Sequence, residues 1–210
     1  MWDFMVKGGP IMWPILICSV LAFGILIERL ISLRKEQIDT QSFMEQISKS
    51  MKRNKVMEAL DFCDKTEGPI AHIVKAGILK HDRARSEVRE AIEDTVIHEV
   101  PRLEKNLPVL LTLAHIMPLL GLLGTVTGMV SAFQVIENKA SALNPVNPGD
   151  LAGGIWQALL TMVFGLCATI PTMVAYNYLV SRVDGFVLDM ERSATDLLNI
   201  LGEKREEDEI

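Results

Sequence analysis

Three stretches of the chain carry no charged residue, and the pattern between them is amphipathic. No Asp, Glu, Lys or Arg occurs in residues 8–27, 106–136 or 151–181, runs of 20, 31 and 31 residues. A helix rises about 1.5 Å per residue, so the shortest run reaches ~30 Å, the thickness of a bilayer's hydrocarbon core. The pattern therefore predicts three membrane-crossing helices, at about 9–29, 107–136 and 151–181. After the first span, Leu30, Leu33, Phe43 and Ile47 continue a helical spacing that breaks near Gly68-Pro69. Val88, Ile92, Val96, Val100, Leu103 and Leu107 recur every three to four residues, predicting an amphipathic helix that feeds straight into span two. Val183, Val187, Met190, Ala194, Leu197 and Leu201 extend span three in the same way. The expected fold is an all-α integral membrane protein, one domain over 1–210, with two of its three spans extended into long cytoplasmic helices. Its cytoplasmic parts are the helical region 30–106 and the tail 182–210.

Composition alone would mislead. With 49% hydrophobic and 23% charged residues, the 210-residue chain matches soluble averages, and only a mean hydropathy of +0.25 hints otherwise. The distribution of charge decides the class and the orientation. Lys and Arg number one in residues 1–10, one in 137–150, 15 in 28–106 and four from Arg182 onward. Arg29, Arg34 and Lys35 follow span one directly. The positive-inside rule then places 28–106 and the C-terminus in the cytoplasm, with the N-terminus and the 137–150 loop outside. The net charge of −6 arises mostly in the tail GEKREEDEI and its approach, and reads as a solvated end. Span one lacks a basic start and a small-residue cleavage site, so it is expected to be retained. Trp2 and Trp13 suit an interfacial aromatic belt, and Pro10 and Pro14 mark the start of the first helix. Cys18 and Cys167 lie in spans and Cys63 in the cytoplasmic region, which is no disulfide framework.

Enzyme chemistry finds no support. The chain has no phosphate-binding glycine loop, no nucleophile elbow and no Cys/His metal cluster, and His72, His81, His98 and His115 are scattered without ligand spacing. No metal, cofactor or nucleic-acid partner is expected. The apolar stripes of the cytoplasmic helices instead call for oligomerisation. Within span two, GLLGTVTG (Gly121 to Gly128) contains the small-xxx-small pair Gly124 and Gly128, which lets helices approach closely in lipid. In span three Gln157, Thr161, Gly165, Thr169 (or Ala168), Thr172 and Tyr176 form one small-and-polar stripe. That stripe suits either a tight helix interface or a wet lining for an ion. No carboxylate lies in any span, and only His115 is ionisable there in the usual range. It could relay an ion, although a neutral imidazole bonded within the bundle is the plainer expectation. A proton path needs a group that binds and releases the ion, so a conducting assembly must receive its carboxylate from another subunit.

GGPIMWPILICSVLAFGILIERL (Gly8 to Leu30), MPLLGLLGTVTGMVSAF (Met117 to Phe133) and GGIWQALLTMVFGLCATIPTMVAYNY (Gly153 to Tyr178) resemble the MotA/TolQ/ExbB proton-channel proteins. Three spans resemble the ExbB/TolQ branch better than the four-span MotA branch. The resemblance implies a bacterial inner-membrane motor subunit forming a ring, typically a pentamer. The ring surrounds single-span ExbD/TolR-type partners that carry the membrane Asp. Proton flow would then energise TonB- or TolA-type transducers. It also implies roles by position: Thr125 lines the ring interior near the partner's carboxylate, Thr161 contacts that carboxylate, and Gln157 lies near the external mouth. Gly121, Gly124, Gly128, Gly165 and Pro171 are assigned to helix packing. Two departures stand out: Gln157 occupies a position where ExbB and TolQ often carry Glu, and Met162 replaces a second threonine in ALLTM. The ion could accordingly differ from H⁺. The rival readings are a structural scaffold whose stripe is only packing, and a MotA-like stator subunit. A substrate transporter is disfavoured by the lack of repeats.

Overall fold

A computed structural model describes residues 8–141, 145 and 147–208; Trp2, Lys7 and the last tail residues lie outside it. Among the described residues every regular element is helical. These are α1 (Met12–Lys35), α2 (Thr40–Lys52), α3 (Val56–Lys65), α4 (Pro69–Leu79), α5 (Arg85–Leu103), α6 (Leu107–Ser141) and α7 (Pro148–Asp208). Three helical stretches are long and apolar enough to cross a membrane, and α1, α6 and α7 carry them. The chain divides into two units, Met1–Glu28 with Asn106–Tyr178 and Arg29–Lys105 with Leu179–Ile210.

The first unit contains the spans. Its outward side chains are large and apolar, among them Val20, Phe23, Leu119, Phe133, Ile170 and Val174. In water such a surface would be untenable, whereas in lipid it is what a span requires. The seam between α6 and α7 is lined by small residues instead, as described below.

The second unit has a conventional core. Ile47, Met51, Ile70, Ile73, Val74, Ile78, Leu103, Met190 and Leu197 are fully buried. Most of α4 is inside, because PIAHIVKAGIL is apolar almost all round. Gly77 is required where α4 meets its neighbours: a Cβ there would lie 2.5 Å from Leu197 Cδ2 and 3.0 Å from Ile92 Cδ1. Pro69 opens α4 at a position that needs no N–H, and Gly68 precedes it with φ of 133°. Asp39 caps α2 by accepting the Ser42 N–H at 3.3 Å, and Phe43 stacks on Phe62 of α3 at 5.4 Å.

One expectation needs correction. The amphipathic helix before span two does not run straight into it. It ends at Leu103, and the chain turns through Glu104–Asn106, with Asn106 at φ 64°, before α6 starts. Asn tolerates the left-handed region, and Pro108 in the next turn has no N–H to continue a helical ladder. Span three does continue unbroken through the 61 residues of α7.

Candidate functional site in the paired membrane helices

Within the first unit, α6 and α7 pack along glycines. A Cβ on Gly128 would lie 2.8 Å from Gly154 O and 2.9 Å from Ala158 Cβ, and one on Gly124 would lie 2.5 Å from Thr161 Cβ. Cβ atoms on Gly121 and Gly165 would meet Met162 Cα at 3.3 Å and Met117 O at 2.9 Å. Residue numbers fall along one helix as they rise along the other, so the pair is antiparallel. The buried positions Leu107, Leu110, Ala114, Met117, Gly121, Gly124, Gly128 and Ala132 trace one stripe down α6, which meets α7 from Met117 to Ala132. Pro171 is exposed.

The small-and-polar stripe of span three thus divides. Ala158, Thr161 and Gly165 are buried in the seam, while Gln157, Thr169, Thr172 and Tyr176 are half-buried. Thr161 is only 1% exposed, and its hydroxyl donates to its own helix, at 2.8 Å to Ala158 O and 3.2 Å to Gln157 O. Thr125 sits one position past Gly124, half-buried on the flank of the seam, and donates to Leu122 O at 2.6 Å. Thr127 lies on the opposite flank and donates to Leu123 O and Gly124 O at 3.0 and 3.1 Å. Thr169 and Thr172 bond back in the same way, to Gly165 O and Ala168 O at 2.8 and 2.7 Å. Every one of these hydroxyls spends its proton on its own helix and keeps oxygen lone pairs free to accept.

Gln157 belongs to a contact that the sequence did not reveal. Gly9 adopts φ 77°, and a Cβ there would lie 3.0 Å from Gln157 Cδ, so the amide rests on the turn that precedes α1. Gly154, one turn from Ala158, also proves to be a packing glycine. A lone glycine contact between distant segments leaves no local signal in a sequence. Thr161 packs against Gly124, the residue before Thr125, whereas Gln157 stands apart at the Gly9 end.

In the second unit a polar cluster forms around His72. His72 Nδ1 lies 2.8 Å from Glu99 Oε1, and Arg102 reaches Glu99 at 3.3 Å and Glu36 at 3.7 Å. Buried Arg29 donates to Arg102 O at 3.5 Å. His72 and Arg102 border an open cleft of about 350 Å³ with Ser32, Lys35, Glu36, Glu67 and Gly68. No group of three metal-ligating side chains occurs among the described residues. Cys63 is buried, and that burial, with Asp64 nearby and Lys75 opposing, pushes its thiol up to about 12.

The family model for the MotA/TolQ/ExbB proton channel family matches residues 65–192. A putative biopolymer transport protein ExbB homolog of Methanothermobacter thermautotrophicus is 30% identical over 179 residues, covering 85% of this chain and 62% of that protein. The Tol-Pal system protein TolQ of Pseudomonas aeruginosa is 24% identical over 197 residues, 87% of this chain and 84% of its own length. The biopolymer transport protein ExbB of Pseudomonas putida is 27% identical over 206 residues, 93% of this chain and 60% of its own.

Proposed function

Since the chain belongs to the MotA/TolQ/ExbB proton channel family, within its ExbB/TolQ branch, we propose that it is a ring-forming subunit of an inner-membrane ion-driven motor. It is a multi-pass membrane protein of a transport system and not an enzyme. Several copies, by resemblance five, surround single-span ExbD/TolR-type partners, and the proton gradient energises TonB- or TolA-dependent work. The N-terminus lies on the periplasmic side and the C-terminus in the cytoplasm, following the basic residues after span one.

The observation that carries this reading is the seam of α6 and α7. It holds a hydroxyl-bearing flank, yet no described span residue is a carboxylate. The partner's Asp supplies that group, and Thr125 meets it. Because the Thr125 proton is held by Leu122 O, the free lone pairs of the hydroxyl accept from a protonated carboxylic acid. An ionised carboxylate instead requires the hydroxyl to rotate away from its carbonyl and donate. Moving a proton on and off the partner therefore couples to a rotation of one side chain. Thr161, packed against Gly124, is assigned the deeper contact, and Gln157, against Gly9, the external mouth.

The test is gradient-driven proton flux in liposomes holding this chain and its single-span partner. Thr125→Val is expected to lose flux and Thr125→Ser to keep most of it. Unchanged flux in Thr125→Val refutes the role given to that hydroxyl. Absence of flux in the unaltered complex favours the scaffold reading instead.

A further inference from the structure

We propose that His115 is a second proton-transfer group of this path, set between the Thr125 level and the Leu107 end of α6. The inference rests on the motor reading above and names a residue for it. His115 is exposed on α6, and no hydrogen-bond or ion-pair partner exists for it among the described residues. Among the described residues, then, the ring has no bond within the bundle. A polar ring turned toward hydrocarbon is unfavourable, so its face meets protein or water in the assembly.

The position of that face is informative. His115 and Thr125 are ten residues apart, which places them ~15 Å apart along the axis and about 80° apart around it. Both lie on the side of α6 away from the Thr127 flank and outside the buried stripe Ala114, Met117, Gly121 and Gly124. Outside that stripe span two thus carries the hydroxyl assigned to the partner's carboxylate and, further along and about 80° further round, away from the seam, an imidazole. The antiparallel pairing of Met117 with Gly165 puts His115 about level with Thr169 of α7, whose hydroxyl oxygen can also accept. No Asp, Glu, Lys or Arg of the described spans competes for the proton.

The chemistry balances within the ring. One ring nitrogen accepts a proton from water that bridges to the partner's carboxylic acid. The other nitrogen releases its own proton to water on the Leu107 side. Exchange of tautomers, or a ring flip, restores the starting state. Nothing is consumed, and one charge has moved.

The experiment uses the reconstituted complex, with proton flux read by a pH-sensitive dye trapped in the liposomes. His115→Ala and His115→Gln are each expected to slow flux by about 10²-fold, the lower end of what positioned acid–base groups contribute. Free imidazole in the buffer should restore part of the flux to His115→Ala. Flux in His115→Gln equal to that of the unaltered complex overturns the relay, because Gln keeps hydrogen bonding but cannot titrate. A loss in His115→Ala that Gln fully repairs also overturns it, in favour of a packing contact with another subunit. A measurement on the unaltered complex does not depend on either variant assembling. Complete acylation of its histidines by diethyl pyrocarbonate should stop flux, and undiminished flux after acylation overturns the proposal. The motor reading fails separately, if the untreated complex conducts nothing, and it survives if only the His115 results are negative.

Discussion

Replacing Gly124 by Ala tests the α6–α7 seam most directly. The added methyl carbon would stand 2.5 Å from Thr161 Cβ and 3.0 Å from Thr161 Cγ2. Carbon atoms settle at ~3.5–4.0 Å, so the helices must part by ~1 Å at this point. Thr161 has no room to turn aside, being 1% exposed and tied twice to its own backbone. Separation there also loosens the Gly128 contact one turn away, where Gly154 O and Ala158 Cβ lie within 3 Å of a virtual Cβ. Overpacking of this kind costs ~1–3 kcal/mol. An opposing gain comes from replacing glycine in a helix, at most ~1 kcal/mol. Gly24→Ala measures that gain alone, since nothing lies within 4 Å of a Cβ at Gly24. Unfolding in bicelles, followed by steric trapping, should therefore rank Gly24→Ala at or above the unaltered chain and Gly124→Ala clearly below it. Adding Thr161→Gly to Gly124→Ala removes the obstructing side chain and should recover much of the loss. Equal stability for the two alanine variants would refute the packing argument.

Other outcomes follow from single sites. Leu197→Ala removes a fully buried side chain that touches the Gly77 position, and should destabilise the second unit by ~2–5 kcal/mol, read as a lower melting temperature. Gly68→Ala places a Cβ at φ 133° and 3.0 Å from Glu36 O, so it should destabilise that unit as well, with no repair by Gly68→Ser. Cys63, with its thiol pushed up to about 12, should resist N-ethylmaleimide at pH 8 in the folded chain and react once denatured. Because its folded value lies above the ordinary 9.0, the stability it contributes is whole below pH 9 and is lost as pH rises through 12. A denaturant midpoint that fails to fall more steeply in the native chain than in Cys63→Ala above pH 9 contradicts this.

The membrane helices were legible because charge and hydrocarbon exclude one another, so the runs 8–27, 106–136 and 151–181 mark themselves. The glycines of GLLGTVTG were legible for a related reason, since close approach in lipid requires small residues at a four-residue spacing. The break at Asn106 was not. The apolar spacing Val100, Leu103, Leu107 passes through it without a change of period, and only the paired prolines at 101 and 108 hint that the ladder is interrupted. The contact of Gly9 with Gln157, and the His72–Glu99–Arg102 cluster, join segments far apart in the chain. Local pattern carries no information about such meetings. The polar stripe of span three reads as one surface in the sequence, and its division into a buried part at Thr161 and a half-buried part at Thr169 and Thr172 depends on where α6 lies.

Thr161→Val separates shape from hydrogen bonding at the seam. Valine keeps the branched outline that fits against Gly124 and removes only a hydroxyl. That hydroxyl donates to Gln157 O and Ala158 O, carbonyls already within the helix ladder of α7. Even side-chain hydrogen bonds between membrane helices are worth only ~0.6 kcal/mol on average, so losing these bonds within one helix should change stability little. Gly124→Ala adds bulk against the whole Thr161 side chain and removes no hydrogen-bonding group, yet it should cost more. If Thr161→Val instead unfolds the chain as readily as Gly124→Ala, the seam is held by its hydroxyl and not by close packing. Flux adds the second axis. A motor that uses Thr161 as the deeper contact loses flux in Thr161→Val while keeping its stability, and a scaffold loses neither.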